Sequence, residues 1–423
     1  MTTEERLFNR NLVVIGAIIV QLCLGSIYAW SVFKSALKGS LYVWTDWDAT
    51  LPFAFGLLSF AVVMILAGRL QDRIGPMKIA IIGGVLLGLG YMAASLIDLL
   101  GLANNPLGTL WLVATYGIIA GGGIGFAYVC PIAALVKWFP DIKGLITGIA
   151  VAGFGAGAII FGYVEEALIA IGGGKIGIAF LILGVIYLIA VILGSLLLRN
   201  PPEGWFPADY TPPPKPAVTS DKEDYEWQEI LRTPQFYLLW LMFLIAAASG
   251  LMTISNIKPF TQTATDLMGF DIVTAGWLVL TFYSIFNAAG RIIWGAVSER
   301  LGRITTMILM FSILGVTMIL FGLQISLLML IIGASVIGFC FGGNFALFPS
   351  TTADYFGTKN LGVNYALVFT AYGIAGIFGP LSAAGVVDEL GSYPLAFAIL
   401  GVLAFGAVFL AIISEYLNRK ASK

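Results

Sequence analysis

Long apolar runs alternate with short polar loops along the whole chain. Twelve of these runs reach about twenty residues or more, the length that an α-helix needs to cross roughly 30 Å of hydrocarbon. Each run therefore predicts a membrane-spanning helix. In chain order, segments 1 to 12 comprise residues 11–33, 50–70, 76–97, 108–137, 144–168, 176–198, 234–260, 272–297, 303–323, 326–355, 362–386 and 394–417.

One long polar stretch interrupts this pattern between segments 6 and 7. It reads RNPPEGWFPADYTPPPKPAVTSDKEDYEWQEILRT, and its proline and charge content is typical of a linker. We therefore predict an N-terminal six-helix bundle over residues 1–198, a linker over 199–233 and a C-terminal six-helix bundle over 234–423.

The two predicted bundles also resemble each other in sequence. GRLQDRIGPMK (68–78) follows segment 2, and GAVSERLGRIT (295–305) follows segment 8, with glycine, an acid, arginine and glycine in matching places. GFAYVCP (125–131) likewise matches GNFALFP (343–349). A repeat of six helices predicts an all-α membrane protein of two pseudo-symmetric bundles, with a binding site between them.

Composition supports this class and excludes several others. Of 423 residues, 59% are hydrophobic and 11% are charged, and the mean hydropathy is +0.96. The absence of histidine excludes histidine-ligated metals and serine–histidine or cysteine–histidine catalysis, so we expect neither an enzyme nor a bound cofactor or metal. A net charge of −1 removes any electrostatic case for nucleic acid. The scattered cysteines are predicted to be small core residues: Cys23, Cys130 and Cys340.

Lysine and arginine predict the orientation in the membrane. Seventeen of the 22 fall in the tails and loops on the side of both termini, and four fall on the opposite side: Lys34, Lys38, Lys175 and Lys258. Because cytoplasmic loops carry the excess of these residues, both termini are expected in the cytoplasm. The expected location is a plasma membrane or cell inner membrane, with the chain working as a monomer in the lipid bilayer.

One arginine does not fit the loop pattern. Arg291 lies inside segment 8, eight residues and about 12 Å of helix rise before Glu299. A charge at that depth costs about 3 kcal/mol, so it should face the protein interior. Asn287, one turn earlier, shares its helix face. Arg291 either caps backbone carbonyls or pairs with a carboxylate; since no acid lies at that depth, the substrate is the expected partner.

Several motifs carry a family resemblance. GRLQDRIGPMK resembles the helix 2–3 loop motif of the major facilitator superfamily, and GAVSERLGR its second copy. WFPDIKGLITGIAVAGFGAG (138–157), LRTPQFYLLW (231–240) and ALFPSTTADYFG (346–357) are similar to the oxalate/formate antiporter and monocarboxylate porter branch. The resemblance implies the major facilitator fold and alternating-access transport of small organic anions.

The resemblance also implies roles for individual residues. Arg291 and Asn287 would bind the substrate, with aromatic residues whose matching positions line the central cavity: Tyr28, Tyr128, Phe154, Phe341, Phe345, Phe369 and Tyr372. Packing or contact with lipid is the alternative for each of these rings. The duplicated loop motif would gate the transporter, or act only in setting topology, through Gly68, Asp72, Arg73, Gly75, Glu299 and Arg300.

Departures from the family pattern bear on substrate and coupling. The oxalate transporter carries a second cation at the position matching Tyr372, so a single cation here favours a monocarboxylate such as lactate, acetate, formate or pyruvate. Monocarboxylate porters carry an aspartate where this chain has Asn287. Proton-coupled symport is therefore a hypothesis in which acids near the helix ends or the substrate itself carry the proton, and anion exchange and uniport stay open.

Overall fold

The computed structural model describes residues 9–103, 106–139, 143–202, 205, 225–264, 266–324, 326–357 and 360–421. Twelve helices in these ranges are long and apolar enough to cross a membrane. They are α1 (Arg10–Lys38), α2 (Asp46–Ile74), α3 (Pro76–Ala94), α4 (Pro106–Leu135), α5 (Lys143–Ile171), α6 (Ile176–Leu196), α7 (Pro234–Thr261), α8 (Ile272–Leu301), α9 (Arg303–Phe321), α10 (Leu327–Phe356), α11 (Leu361–Leu390) and α12 (Tyr393–Ala421).

Each predicted segment coincides with one of these helices, which confirms the twelve spans. The duplicated loop motif makes the same turn twice, because Gly75 and Gly302 adopt φ of +91° and +84° between successive helices. Side chains other than glycine rarely adopt such angles. Helices α1–α6 and α7–α12 therefore form two pseudo-symmetric bundles. Most of the predicted linker lies outside the described residues.

Two helices contain irregular turns that the hydrophobic pattern did not predict. In α1, residues Ser26–Ala29 form a 3₁₀ turn, and the Ser26 hydroxyl donates to the carbonyl of Cys23 at 2.8 Å. The turn follows Gly25, where a Cβ would lie 2.0 Å from the carbonyl oxygen of Phe154 in α5. In α4, residues Val113–Ala120 form a π-helical stretch. Apolar periodicity alone does not report such local changes in winding.

Glycine allows the two bundles to approach closely. Gly376 of α11 faces Leu57 of α2, where an added Cβ would lie 2.4 Å from the leucine Cβ. Gly162 of α5 packs against the indole of Trp277 in α8, where an added Cβ would lie 2.5 Å from the ring. Small residues commonly allow such close approach between helices in lipid. The interface therefore pairs α2 with α11 and α5 with α8.

We call the end of the molecule at which α1 begins and α12 ends the terminal end, and the opposite end the distal end. At the distal end, polar contacts and stacked rings join the two bundles. Lys258 of α7 forms an ion pair with Glu166 of α5, and the rings of Tyr163 and Trp277 stack with centroids 3.9 Å apart. Lys34 of α1 donates to the Asn256 side chain of α7 at 2.7 Å. The conformation is thus closed at the distal end.

Candidate functional site

Arg291 lies in the middle of α8 and is buried, with 4% of its surface exposed. Its Nε donates to Oδ1 of Asn287, one turn earlier, at 3.2 Å. Its guanidinium carbon lies 4.2 Å from the ring centroid of Phe345 in α10, within the range of a cation–π contact. Both terminal nitrogens of Arg291 are buried, and neither makes a well-formed hydrogen bond to a described residue, although the hydroxyls of Tyr28 and Tyr128 lie within reach of the guanidinium.

Arg291 faces the N-terminal bundle. The nearest part of α5 is Gly155, where an added Cβ would lie 3.5 Å from both Nε of Arg291 and Oδ1 of Asn287. The hydroxyls of Tyr28 and Tyr128 interact electrostatically with the guanidinium from the same bundle. A cation on one bundle is therefore presented to hydroxyl groups on the other.

The seven aromatic residues predicted to line the site form one continuous cluster. On the N-terminal side, the Phe154 ring contacts Tyr28 and Tyr128 with centroids 5.1 and 5.2 Å apart. The remaining members continue through the C-terminal bundle in the contacts Tyr28–Phe341 at 5.8 Å, Phe341–Phe345 at 5.3 Å, Phe345–Tyr372 at 5.6 Å and Phe369–Tyr372 at 4.9 Å. The cluster thus draws rings from both bundles and meets Arg291 through Phe345.

A hydrogen bond between two tyrosines joins the two bundles inside this cluster. The hydroxyls of Tyr28 in α1 and Tyr372 in α11 lie 2.9 Å apart, and both side chains are almost fully buried. Tyr372 therefore places a neutral, hydrogen-bonding group beside Tyr28. Among the residues predicted to bind the substrate, Arg291 is the one with a permanent charge.

Phe60 and Phe243 belong to the cluster but were not predicted. Phe60 of α2 packs against Tyr128 at 5.0 Å and Phe369 at 5.6 Å, and Phe243 of α7 packs against Phe369 at 5.9 Å. Both stand in uniformly apolar sequence, where nothing marks one face as central. Tyr283, which shares the stripe of Asn287 and Arg291, donates instead to the backbone carbonyl of Gly250 at 3.0 Å.

The predicted gating residues lie at the terminal end. Arg73, Glu299 and Arg300 are exposed, and the side chain of Asp72 lies outside the described residues. In this conformation an added Cβ at Gly68 would meet no atom within 4 Å. Gly75 makes the expected tight turn. The gating role of these residues stays a prediction.

A surface cavity of about 260 Å³ lies at the distal end and is separate from the site. It is lined by Val32, Ser35, Gly39, Leu41, Glu166 and Ile169, and Arg291 does not reach it. Among the described residues, no group of three or more histidine, cysteine or acidic side chains could hold a metal ion. Beside Arg291, the residues present offer a positive charge and the hydroxyl groups of Tyr28 and Tyr128.

Comparison with known proteins decides the family. The family model of the Major Facilitator Superfamily matches residues 12–268 and 251–423. The chain belongs to the Major Facilitator Superfamily. Members of this superfamily are transporters rather than enzymes, and the chain is accordingly a multi-pass membrane transporter.

Three relatives in this superfamily are similar over most of their length. The uncharacterized MFS-type transporter YhjX of Escherichia coli (strain K12) is 33% identical over 388 residues, which cover 89% of this chain and 88% of that protein. The oxalate:formate antiporter of Oxalobacter formigenes is 30% identical over 94% of this chain and 89% of its own. Monocarboxylate transporter 12 of Xenopus laevis is 24% identical over 99% of this chain and 93% of its own. Both branches expected from the motifs are represented.

Proposed function

We propose that this superfamily member is a secondary active transporter of small monocarboxylate anions. The observation that carries the proposal is Arg291, a buried cation at the bundle interface whose two terminal nitrogens make no well-formed hydrogen bond to the described residues. A planar guanidinium binds a carboxylate through two parallel hydrogen bonds. A buried donor left without a partner costs about 1–3 kcal/mol, so a bound carboxylate would satisfy both nitrogens.

The surroundings of Arg291 support a small acid with one charge. Asn287 already holds Nε, so the two terminal nitrogens remain for the substrate. Tyr28 and Tyr128 supply hydroxyls for the second carboxylate oxygen or for a hydroxyl or keto group. The rings of Phe154 and Phe345 would contact the short apolar part of lactate, pyruvate, acetate or formate.

Transport would proceed by alternating access between the two bundles. Rocking about the glycine-rich interface would open the distal and terminal ends in turn around Arg291. In the distal-open conformation, Asp72 and Arg73 with Glu299 and Arg300 would hold the terminal end closed. We further propose that residues 1–198 and 234–423 move as the two bodies, with 199–233 as the linker. Both termini would lie in the cytoplasm, the membrane would be a plasma or inner membrane, and the functional unit would be a monomer.

Coupling to protons is part of this proposal, and exchange is the second candidate. The 30% identity to the oxalate:formate antiporter favours exchange of two organic anions. Asn287, which cannot titrate, supplies no proton-carrying group beside Arg291. In the symport mechanism the proton would therefore travel on an acid elsewhere or on the substrate.

Uptake into proteoliposomes separates the candidates. Purified protein is reconstituted, and labelled lactate is offered to empty vesicles with and without an inward proton gradient, and to vesicles preloaded with lactate, formate or oxalate. Gradient-driven accumulation in empty vesicles is expected for symport. Uptake confined to preloaded vesicles would establish exchange. If no carboxylate among these is transported in either format, the monocarboxylate proposal is wrong.

A further inference from the structure

The two bundles cap the distal ends of equivalent helices in different ways. Helix α8 begins with a cap from its own bundle, because Oδ1 of Asp271 accepts from the backbone N–H groups of Val273 and Thr274, each at 3.0 Å. The Thr274 hydroxyl also donates to Oδ2 at 2.6 Å, and these hydrogen bonds hold the pKa of Asp271 below its usual range. The cap of α8 therefore moves with α8.

Helix α2, which takes the place of α8 in the N-terminal bundle, is capped largely from the other bundle. Asp388, in the last turn of α11, accepts from the backbone N–H of Asp46 at 2.9 Å through Oδ1 and from that of Trp47 at 2.8 Å through Oδ2. Thr45 of the same bundle covers the N–H of Asp48 at 3.0 Å. Two of the first N–H groups of α2 thus depend on a carboxylate across the interface.

The first turn of α2 is held in place by a buried polar cluster. Asp46 is 2% exposed and pairs with Lys34, which is fully buried, at 2.8 Å, and also with Lys38. The C-terminal bundle contributes Tyr393, whose hydroxyl donates to Asp46 at 3.3 Å, and Asn256, which accepts from Lys34. This cluster fixes the direction of the N–H groups that Asp388 meets.

We propose that Asp388 is a gate residue, whose carboxylate caps α2 across the interface and so favours the distal-closed over the distal-open conformation. A carboxylate at a helix N-terminus is stabilised by the unpaired N–H groups and by the helix dipole. When the bundles separate at the distal end, α11 carries Asp388 away from α2. Asp271 stays on α8, so its cap contributes equally to both conformations. The inference rests on the alternating access of the proposed function and on none of its substrate assignments.

The exposure of the cap sets how strongly loss of the Asp388 carboxylate should shift the balance between the closed and open conformations. Asp388 and Trp47 are exposed, so water competes with the contact in part. Loss of a capping carboxylate at such a site is expected to change the ratio of closed to open molecules by about three- to tenfold. The change favours the distal-open conformation.

A cysteine reporter measures this ratio directly. Ala384 lies on the same face of α11 as Asp388, one turn deeper, and is fully buried in the distal-closed conformation. In detergent solution, the rate at which a water-soluble maleimide labels Ala384→Cys reports distal opening. Protein without the reporter is the blank, since Cys23, Cys130 and Cys340 are buried.

Adding Asp388→Asn to the reporter is expected to raise the labelling rate about three- to tenfold, because the charge at the α2 terminus is lost. Asp388→Glu retains the charge and is expected to label more slowly than Asp388→Asn. The matched control is Asp271→Asn, which weakens a cap inside one bundle and is expected to leave the rate unchanged. If Asp388→Asn is not monodisperse, Asp388→Ser carries the same expectation.

Two results would overturn the gate role. One is a labelling rate in Asp388→Asn equal to that of the parent reporter. The other is an equal rise in Asp388→Asn and Asp271→Asn, which would indicate general loosening of helix ends. Labelling requires no substrate, so it tests the gate independently of transport. If the protein transports no carboxylate, the proposed function is wrong, but the difference in labelling rate between Asp388→Asn and Asp271→Asn still tests the gate role of Asp388.

Discussion

Substitution of Gly342 by alanine tests how the packing of α8 against α10 positions the site. An added Cβ at Gly342 would lie 2.0 Å from the carbonyl oxygen of Asn287 and 2.9 Å from its carbonyl carbon. Both atoms belong to the backbone of α8, so no side-chain rotation relieves the contact. The helices would have to separate by about 1 Å or more at this point. Asn287 holds Nε of Arg291, so the displacement would reach the site.

The magnitude follows from two opposing terms. Overpacking of this kind costs about 1–3 kcal/mol, and replacing a helical glycine by alanine returns up to about 1 kcal/mol. The net expectation for Gly342→Ala is a loss of up to about 2 kcal/mol in the free energy of unfolding. Gly406 in α12 is the matched control, because its added Cβ would meet no atom within 4 Å. Gly406→Ala should be neutral or stabilising.

Thermal unfolding of detergent-purified protein and lactate uptake in vesicles are the two assays. We expect Gly342→Ala to unfold at a lower temperature than the parent and to take up lactate with weaker apparent affinity. Gly406→Ala should match the parent in both. If Gly342→Ala equals Gly406→Ala in stability and uptake, the close contact between α8 and α10 is not what positions Arg291.

Three further predictions concern the site. Tyr28→Phe leaves the buried Tyr372 hydroxyl unpaired and should lower the free energy of unfolding by about 1–3 kcal/mol; the double variant Tyr28→Phe with Tyr372→Phe should lose less than the sum of the two single variants. Additive losses would show that the two hydroxyls do not interact. Tyr372→Lys adds a second cation, so oxalate should compete better against lactate uptake than in the parent; an unchanged ratio would contradict the charge argument. Gly155→Val should weaken lactate uptake more than Gly155→Ala, whose Cβ would make ordinary 3.5 Å contacts with Arg291; equal effects would place the substrate elsewhere.

The twelve helices could be predicted from sequence because the bilayer imposes one length on every span. Their ends were less predictable, since polar caps extend them beyond the apolar runs. Helix α2 begins at Asp46 rather than near residue 50, because Thr45 and Asp388 supply acceptors to the first N–H groups of the helix. Neither the 3₁₀ turn after Gly25 nor the π-helical stretch of α4 has an apolar signature.

The site was predictable to the extent that charge and family motifs marked it. Arg291 could be recognised because an arginine is rare within an apolar membrane-spanning segment. The family motifs then indicated the aromatic residues that cluster around it. Phe60 and Phe243 were missed because one phenylalanine in an apolar run resembles another. The cap by Asp388 was missed for a different reason: it joins residues more than 300 positions apart, and only the fold brings them together.

The most direct test of the account is whether Arg291 binds the substrate carboxylate. Calorimetric titration of purified protein with lactate and with its neutral amide would compare the parent with Arg291→Lys and Arg291→Gln. We predict binding of lactate but not of the amide by the parent, a Kd about 10- to 100-fold weaker in Arg291→Lys because the bidentate fork is lost, and no measurable binding in Arg291→Gln. Lactate bound with the same Kd by all three proteins would contradict the central claim.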